Sequence, residues 1–190
     1  VPVTRAYVVL PTTPADLPVL ETCLEHLVAA ADESAAAGTP TTIVVSTSAG
    51  AAALRPVLRS WAPLVNLLDD VELTVRHHHG ATGRGDLRAR SARALAARVR
   101  HAGSTVVLTT TTDVVVAPEW VTEHVRHHLD GARASTGPVR GGGPVHEVAV
   151  NLAARADLLP ALLRDGRQVP LVHALSPVVA TPRVILPASP

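Results

Sequence analysis

Apolar positions in this 190-residue chain fall into short runs that alternate with longer periodic stretches. The short runs are Ala6 to Leu10 (AYVVL), Thr42 to Val45 (TIVV), Val71 to Val75 (VELTV) and Val106 to Leu108 (VVL). Their length and β-branched content predict strands, and a run without polar interruption predicts a strand covered on both faces. Leu17, Leu20, Leu24, Leu27, Val28 and Ala31 recur on one helical face and predict a long helix ending near Gly38. Thr13 is placed to cap that helix, with Pro14 at its first position and Asp16 near the amides of its first turn. Further helices are expected over 51–60, from Leu87 to His101 behind an Asp86 cap, and from Pro118 onward with Trp120, Val121, Val125 and Leu129 facing inward. Trp61 and Pro63 lead into a less regular connection through Asp70, and Val169 to Val172 and Val178 to Ala180 read as small strands. The alternation predicts an α/β fold with helical crossovers and a mainly parallel sheet, in a single domain over 1–190.

The stretch STVVLTTTTDVVVAPEW, from Ser104 to Trp120, concentrates the chemistry. Hydroxyls from Thr109 to Thr112 begin where the apolar run stops, Asp113 is the only acid before the helix, and Val114 to Val116 return the chain to an apolar setting. Open α/β sheets take ligands at the carboxyl ends of their strands, which makes Asp113 the first candidate for a functional residue. The competing reading is a solvated acid that caps a turn. Ser46, Thr47, Ser48, Ala49 and Gly50 form a second small polar connection after a strand, suited either to approaching a ligand or to turning the chain.

Charge narrows the partners. With 17 basic and 16 acidic residues the formal charge is +1, so no global field points to a polyanion. Every basic residue is Arg, and Lys, Met and Phe are absent, a compositional bias that discourages reading each Arg as a phosphate ligand. The core must be built from Leu, Val and Ala. Cys23 is the one cysteine, so neither a disulfide framework nor a multi-cysteine metal site is expected. There is no signal-peptide pattern and no apolar run of about 18 residues or more, so the expectation is a cytoplasmic chain without an integral membrane segment.

Other motifs are weaker. His77, His78 and His79 contain zinc, copper or nickel ligand types, but on a strand His78 would point away from its neighbours, and no nearby Cys or Glu completes a set. A solvated strand end is the expectation. GATGRG, from Gly80 to Gly85, lacks the Lys and Ser or Thr of a phosphate-binding P-loop and the spaced glycines of a dinucleotide site. Arg84, Arg90, Arg93, Arg98 and Arg100 make the following helix basic, yet without stacking aromatics it reads as a solvated amphipathic helix, and no nucleic-acid partner is expected. His124, His127 and His128 have helical spacing without another ligand, and read as surface or ordinary packing positions.

In their order these segments resemble glycosyltransferase family 2. YVVLPTTPADLPVLETCLEHL is similar to the family's opening strand and helix, LRARSARAL to its segment with an Ala-Arg pair, and TTTTDVVVAPEW to its metal-site strand. VHEVAVNLAARAD resembles its later Asn-x-x-x-Arg segment, with Asn151 and Arg155 in the matching places, and GRQVPLVHALSPVVATPR its terminal region. The resemblance implies a GT-A-like three-layer α/β/α nucleotide-sugar-binding fold. It implies a nucleotide-sugar donor contacted by Ser46, Thr47, Arg90, Thr111 and Asp113, a Mg²⁺ or Mn²⁺ ion on Asp113, and an acceptor side near Asn151, Arg155 and Asp157.

The departures bear on activity. Thr111-Thr112-Asp113 stands where family members typically have Asp-x-Asp, and Ser46-Thr47-Ser48 where they have an acid. One carboxylate neutralises a hard cation less well than two. The usual Glu-Asp segment that supplies a base has no counterpart after Asp157, and Glu147, Asp157 and Asp165 do not follow its pattern. Two functions remain open: a divergent glycosyltransferase acting on an unidentified acceptor, or a noncatalytic nucleotide-sugar-binding or structural relative. If Asp113 holds the cation, Asp113→Asn keeps the fold and lowers metal-linked affinity for UDP- and GDP-linked donors, as calorimetry with metal present or chelated would show.

Overall fold

The computed structural model describes residues 2–136 and 152–158. In chain order these form β1 (Arg5–Thr12), α1 (Leu17–Ala36), β2 (Thr41–Thr47), α2 (Ala51–Val65), β3 (Val71–His77), α3 (Arg84–Arg98), β4 (Thr105–Thr109), α4 (Trp120–Leu129), β5 (Ala134–Thr136) and β6 (Leu152–Arg155). The strands share one six-stranded sheet in the order β3-β2-β1-β4-β6-β5. The four strands from β3 to β4 are mutually parallel, and β6 runs antiparallel to both β4 and β5. This is the mixed, mainly parallel sheet expected from the alternation of apolar runs.

Side-chain alternation along the strands builds a core on each face. Ala6, Val8, Leu10, Ile43, Val45, Val106 and Leu108 pack on one face with Leu20, Leu24 and Leu27 of α1, Leu54 and Val57 of α2, and Val121 and Val125 of α4. Val9, Val107, Leu152 and Ala154 pack on the other with Ala92 and Leu95 of α3. Helices thus cover both sides of the sheet, giving three layers. Val106, Val107 and Leu108 are fully buried, with β1 on one side and β6 on the other, as their uninterrupted run predicts.

Element ends differ from the sequence pattern for local reasons. β1 continues through Pro11 to Thr12; its register with β4 stops at Val9, so Pro11 has a strand neighbour, β2, on one side only. A missing N–H is tolerated there. α2 runs on to Val65 past Pro56 and Pro63, both on its exposed side, where water can solvate the carbonyls they free. α3 begins at Arg84, and Asp86 lies in its first turn, accepting the Thr82 N–H at 3.2 Å and the Arg90 Nε at 2.8 Å. α4 starts at Trp120, after a turn that contains Pro118 and is closed by the Trp120 N–H on the Ala117 carbonyl at 3.0 Å.

The α4 histidines pack rather than ligate. His124 and His128 are buried, and their rings flank Ser135 of β5, with His124 Nδ1 at 2.7 Å and His128 Nε2 at 3.4 Å from its Oγ. Burial, helped by the charge of Arg155, lowers the His128 pKa to about 4 and keeps this ring neutral. Among the described residues no helix is long and apolar enough to cross a membrane. The strands expected at Val169 to Val172 and Val178 to Ala180 lie outside the described residues.

Leu108 has its full side chain in the core between strands that both pair with β4, so Leu108→Ala leaves a cavity. A loss of roughly 2 to 5 kcal/mol is expected in urea unfolding, with the slope unchanged.

Candidate functional site

Strand order reverses between β1 and β4: the chain steps outward from β1 through β2 to β3, then returns to place β4 on the opposite side of β1. At such a reversal the connections leave in opposite directions and open a crevice beyond the carboxyl ends of the strands. The chain leaves β1 into Thr13 and the single helical turn Pro14–Asp16, and leaves β4 into the buried Thr110, Thr111 and Thr112 and then Asp113. From the same edge of the sheet, the connection after β3 enters α3 and delivers Arg84 as its first residue.

Arg84 joins these segments. Its Nη2 pairs closely with Asp16 Oδ1, its Nε donates to Asp16 Oδ2 at 3.2 Å, and its Nη1 donates to Asp113 Oδ2 at 3.0 Å. Asp16 Oδ2 also accepts the Thr13 N–H at 2.7 Å and the Thr13 hydroxyl at 2.8 Å, while Thr111 donates its hydroxyl to Asp113 Oδ1. The two carboxylates differ in setting: the Asp16 side chain is 3% exposed and that of Asp113 60%. Burial opposes ionisation of Asp16, but the hydrogen bonds from Arg84 and Thr13 outweigh it and bring its pKa to about 2. At Asp113 partial burial is likewise outweighed, here by the bonds from Thr111 and Arg84, and the net shift is downward. Arg84 is held above the ordinary arginine value, first by its bond to Asp16. One turn along α3, Arg88 is buried, and desolvation with the nearby Arg84 charge lowers its pKa to about 10.

The residues singled out in the sequence divide into several places. Thr111 and Asp113 are bonded to each other at the crevice. Ser46 and Thr47 stand at the carboxyl end of β2 with buried hydroxyls turned inward: Ser46 Oγ donates to the Leu87 carbonyl at 3.2 Å and lies 2.6 Å from Ser91 Oγ, and Thr47 Oγ1 accepts the Ala49 N–H at 2.9 Å. Arg90 binds Asp86 and the carbonyls of His79 and Gly80, at 3.2 and 3.4 Å, and so braces the loop before α3. His78 turns inward to Ser91 Oγ at 3.0 Å, because β3 ends at His77 and strand alternation ends with it. Arg155 pairs in register with Val106, near the amino end of β4, and donates to the carbonyls of Gly103 at 2.9 Å and His128 at 2.6 Å. Asp157 lies beyond it, 3.6 Å from Arg133. Both are therefore at the other end of β4 from Asp113. Asn151, Glu147 and Asp165 lie outside the described residues.

Asp16 and Arg84 did not stand out in the sequence as site residues. Asp16 resembles any acid in a first helical turn, and Arg84 is one of many arginines in a biased composition. Only the strand order, which sets β1 against β4, makes them neighbours of Asp113.

A Mg²⁺ or Mn²⁺ ion would find Asp16 and Asp113 as carboxylate ligands, but both are already engaged by the Arg84 guanidinium. Among the described residues no group of three or more His, Cys, Asp or Glu side chains could hold a metal ion. A divalent ion needs more oxygen ligands than remain here, and these residues as arranged do not fit one.

No protein-family model matches the chain, and no curated protein matches it in sequence. Solved structures do share its fold. It is similar to a 4-diphosphocytidyl-2C-methyl-D-erythritol synthase at a TM-score of 0.59 and 13% identity, over 98% of this chain and 94% of that one. A synthase of the same name from Anaerococcus prevotii matches at 0.55 and 13%, over 91% and 83% of the two chains. The glycosyltransferase GlyE of Streptococcus pneumoniae matches at 0.52 and 13%, over 83% of this chain and 36% of that one. At this identity the likeness establishes the fold, which is GT-A-like.

Asp16→Asn tests the buried arm of the Arg84 bridge. Against its burial, the bonds from Arg84 and Thr13 hold the folded carboxyl at about 2, below the ordinary aspartate value of 3.8, so its contribution is complete above about pH 4 and is lost as pH falls towards 2. At neutral pH that difference corresponds to about 2 kcal/mol. Urea unfolding across this range is expected to show the acid-side loss in wild type and a flatter profile in the variant.

Proposed function

We propose that this protein binds a nucleotide sugar in the crevice beyond β1 and β4, and that it is glycosyltransferase-like, passing the sugar to an acceptor hydroxyl. The observation that carries the reading is a cationic group, Arg84, fixed at the strand-order reversal beside the hydroxyl-bearing Thr109–Thr112 segment. Departure of a nucleoside diphosphate develops negative charge, and a guanidinium fixed beforehand stabilises that charge without reorganising during the reaction. Its planar fork suits phosphate oxygens as well as carboxylate. In this reading Arg84, Thr111 and Asp113 border the donor. Ser46, Thr47 and Arg90 shape the rim of the sheet and the loop before α3; Asn151 stays an acceptor-side candidate from the family resemblance, whereas Arg155 and Asp157 lie at the opposite end of β4 and do not border this crevice.

A noncatalytic binding protein is the second reading, and one observation favours it. Both carboxylates at the crevice are bonded to Arg84 and held below the ordinary carboxylate range, which makes them poor proton acceptors for an incoming hydroxyl.

Calorimetry with UDP-, GDP- and CDP-linked sugars, with Mg²⁺, Mn²⁺ or chelator and followed by product detection, tests both readings. Binding is expected for at least one donor, and Arg84→Gln is expected to weaken it by about tenfold or more. Transfer to an acceptor or to water establishes the enzyme, and binding without product the noncatalytic reading. Failure of wild type to bind any of these donors rejects both.

A further inference from the structure

The Arg84 bridge is unequal. Towards Asp16 the guanidinium makes a two-pronged contact with a carboxylate that is 3% exposed and held in addition by Thr13. Towards Asp113 it makes one contact, at 3.0 Å, with a carboxylate that is 60% exposed. An exposed single-pronged pair contributes little to stability and exchanges readily with solvent, whereas a buried two-pronged pair persists. The Asp16 arm therefore keeps the guanidinium aimed at the crevice while the Asp113 arm is free to leave.

We infer that Asp113 is an internal stand-in for the ligand's phosphate, and that an incoming diphosphate displaces it from Arg84. The inference rests on the reading of this crevice as a nucleotide-sugar site. It differs from the metal-bridged arrangement implied by the family resemblance, because the cation here is a tethered guanidinium and the carboxylate is its competitor for phosphate. Two neighbours support the exchange. Thr112 helps to hold the Asp16 carboxylate in its ionised form, which strengthens the arm of the bridge that stays. With Asp113 turned into solvent, Arg84 keeps Asp16 as its carboxylate partner and has its Nη1 donor available to an incoming phosphate oxygen. Thr111, bonded to the other oxygen of Asp113, gives the displaced carboxylate a fixed partner.

The test is titration calorimetry in EDTA on the full chain, with UDP, GDP and inorganic pyrophosphate as probes. Asp113→Asn removes the competing charge from an exposed position and is expected to bind about three- to fivefold more tightly than wild type, the factor matching one exposed ion pair. Glu119→Gln, an equal charge change at an exposed position in the same connection that does not pair with Arg84, is expected to stay within about twofold of wild type. Arg84→Lys keeps the charge without the fork; it is expected to bind more weakly and to abolish the gain from Asp113→Asn when the two are combined. Asp113→Asn binding no tighter than wild type, or Glu119→Gln showing the same gain, overturns the inference. A gain seen with pyrophosphate but with no nucleotide or donor bound keeps the exchange and removes the nucleotide-sugar reading. Donor binding without the gain does the reverse, and absence of binding to every probe by every variant removes both.

Discussion

The pairing of β1 with β4 is the constraint on which the rest depends. These strands are far apart in sequence but adjacent and parallel in the sheet, and both are buried on their two faces. A parallel pair needs a crossover that packs onto the sheet, and the intervening strands and helices serve that purpose while extending the sheet from the other side of β1. Two consequences follow together. The hydrophobic runs of β1 and β4 are sealed between α1 and α4 on one face and α3 on the other, and their carboxyl ends open side by side. Strands covered on both faces are thus also the ones whose backbone exits carry polar groups.

One guanidinium cross-links those exits. Asp16, Arg84 and Asp113 come from three separate connections, so the ion pairs fix the mutual position of the β1 exit, the start of α3 and the β4 exit. The buried Asp16 contact does most of this, because its carboxylate is also bound by Thr13 and has little solvent to compete for it. The arrangement couples the crevice to the fold: a ligand that draws on Arg84 acts on a group that already holds three segments together.

How far the fold could be read follows from which forces are local. The strands at Ala6 to Leu10, Thr42 to Val45 and Val106 to Leu108 are legible because full burial demands uninterrupted apolar residues. The Leu17 to Ala31 helix is legible through its period. α2 is legible from Ala51 to Ser60 but not in its last turn, since Pro63 normally ends a helix and the solvation that tolerates it depends on which side faces water. The inward turn of His78 depends on β3 ending one residue before it. Of the site, Asp113 with Thr111 follows from position after a strand, while Asp16 and Arg84 require the strand order. Arg90 and Arg155, prominent by family resemblance, are each bonded to backbone carbonyls that no sequence pattern reveals.

Cys23 lies beneath this arrangement. Its thiol is buried in α1 against the backbone carbonyl of Thr111, 3.8 Å away, and burial together with the charges of Asp113 and Asp16 raises its pKa to about 12. At neutral pH so little thiolate exists that alkylating reagents find almost nothing to attack while the segment after β4 stays seated. As the chain's single cysteine, it is a built-in reporter whose labelling rate measures how often that segment lifts away from α1.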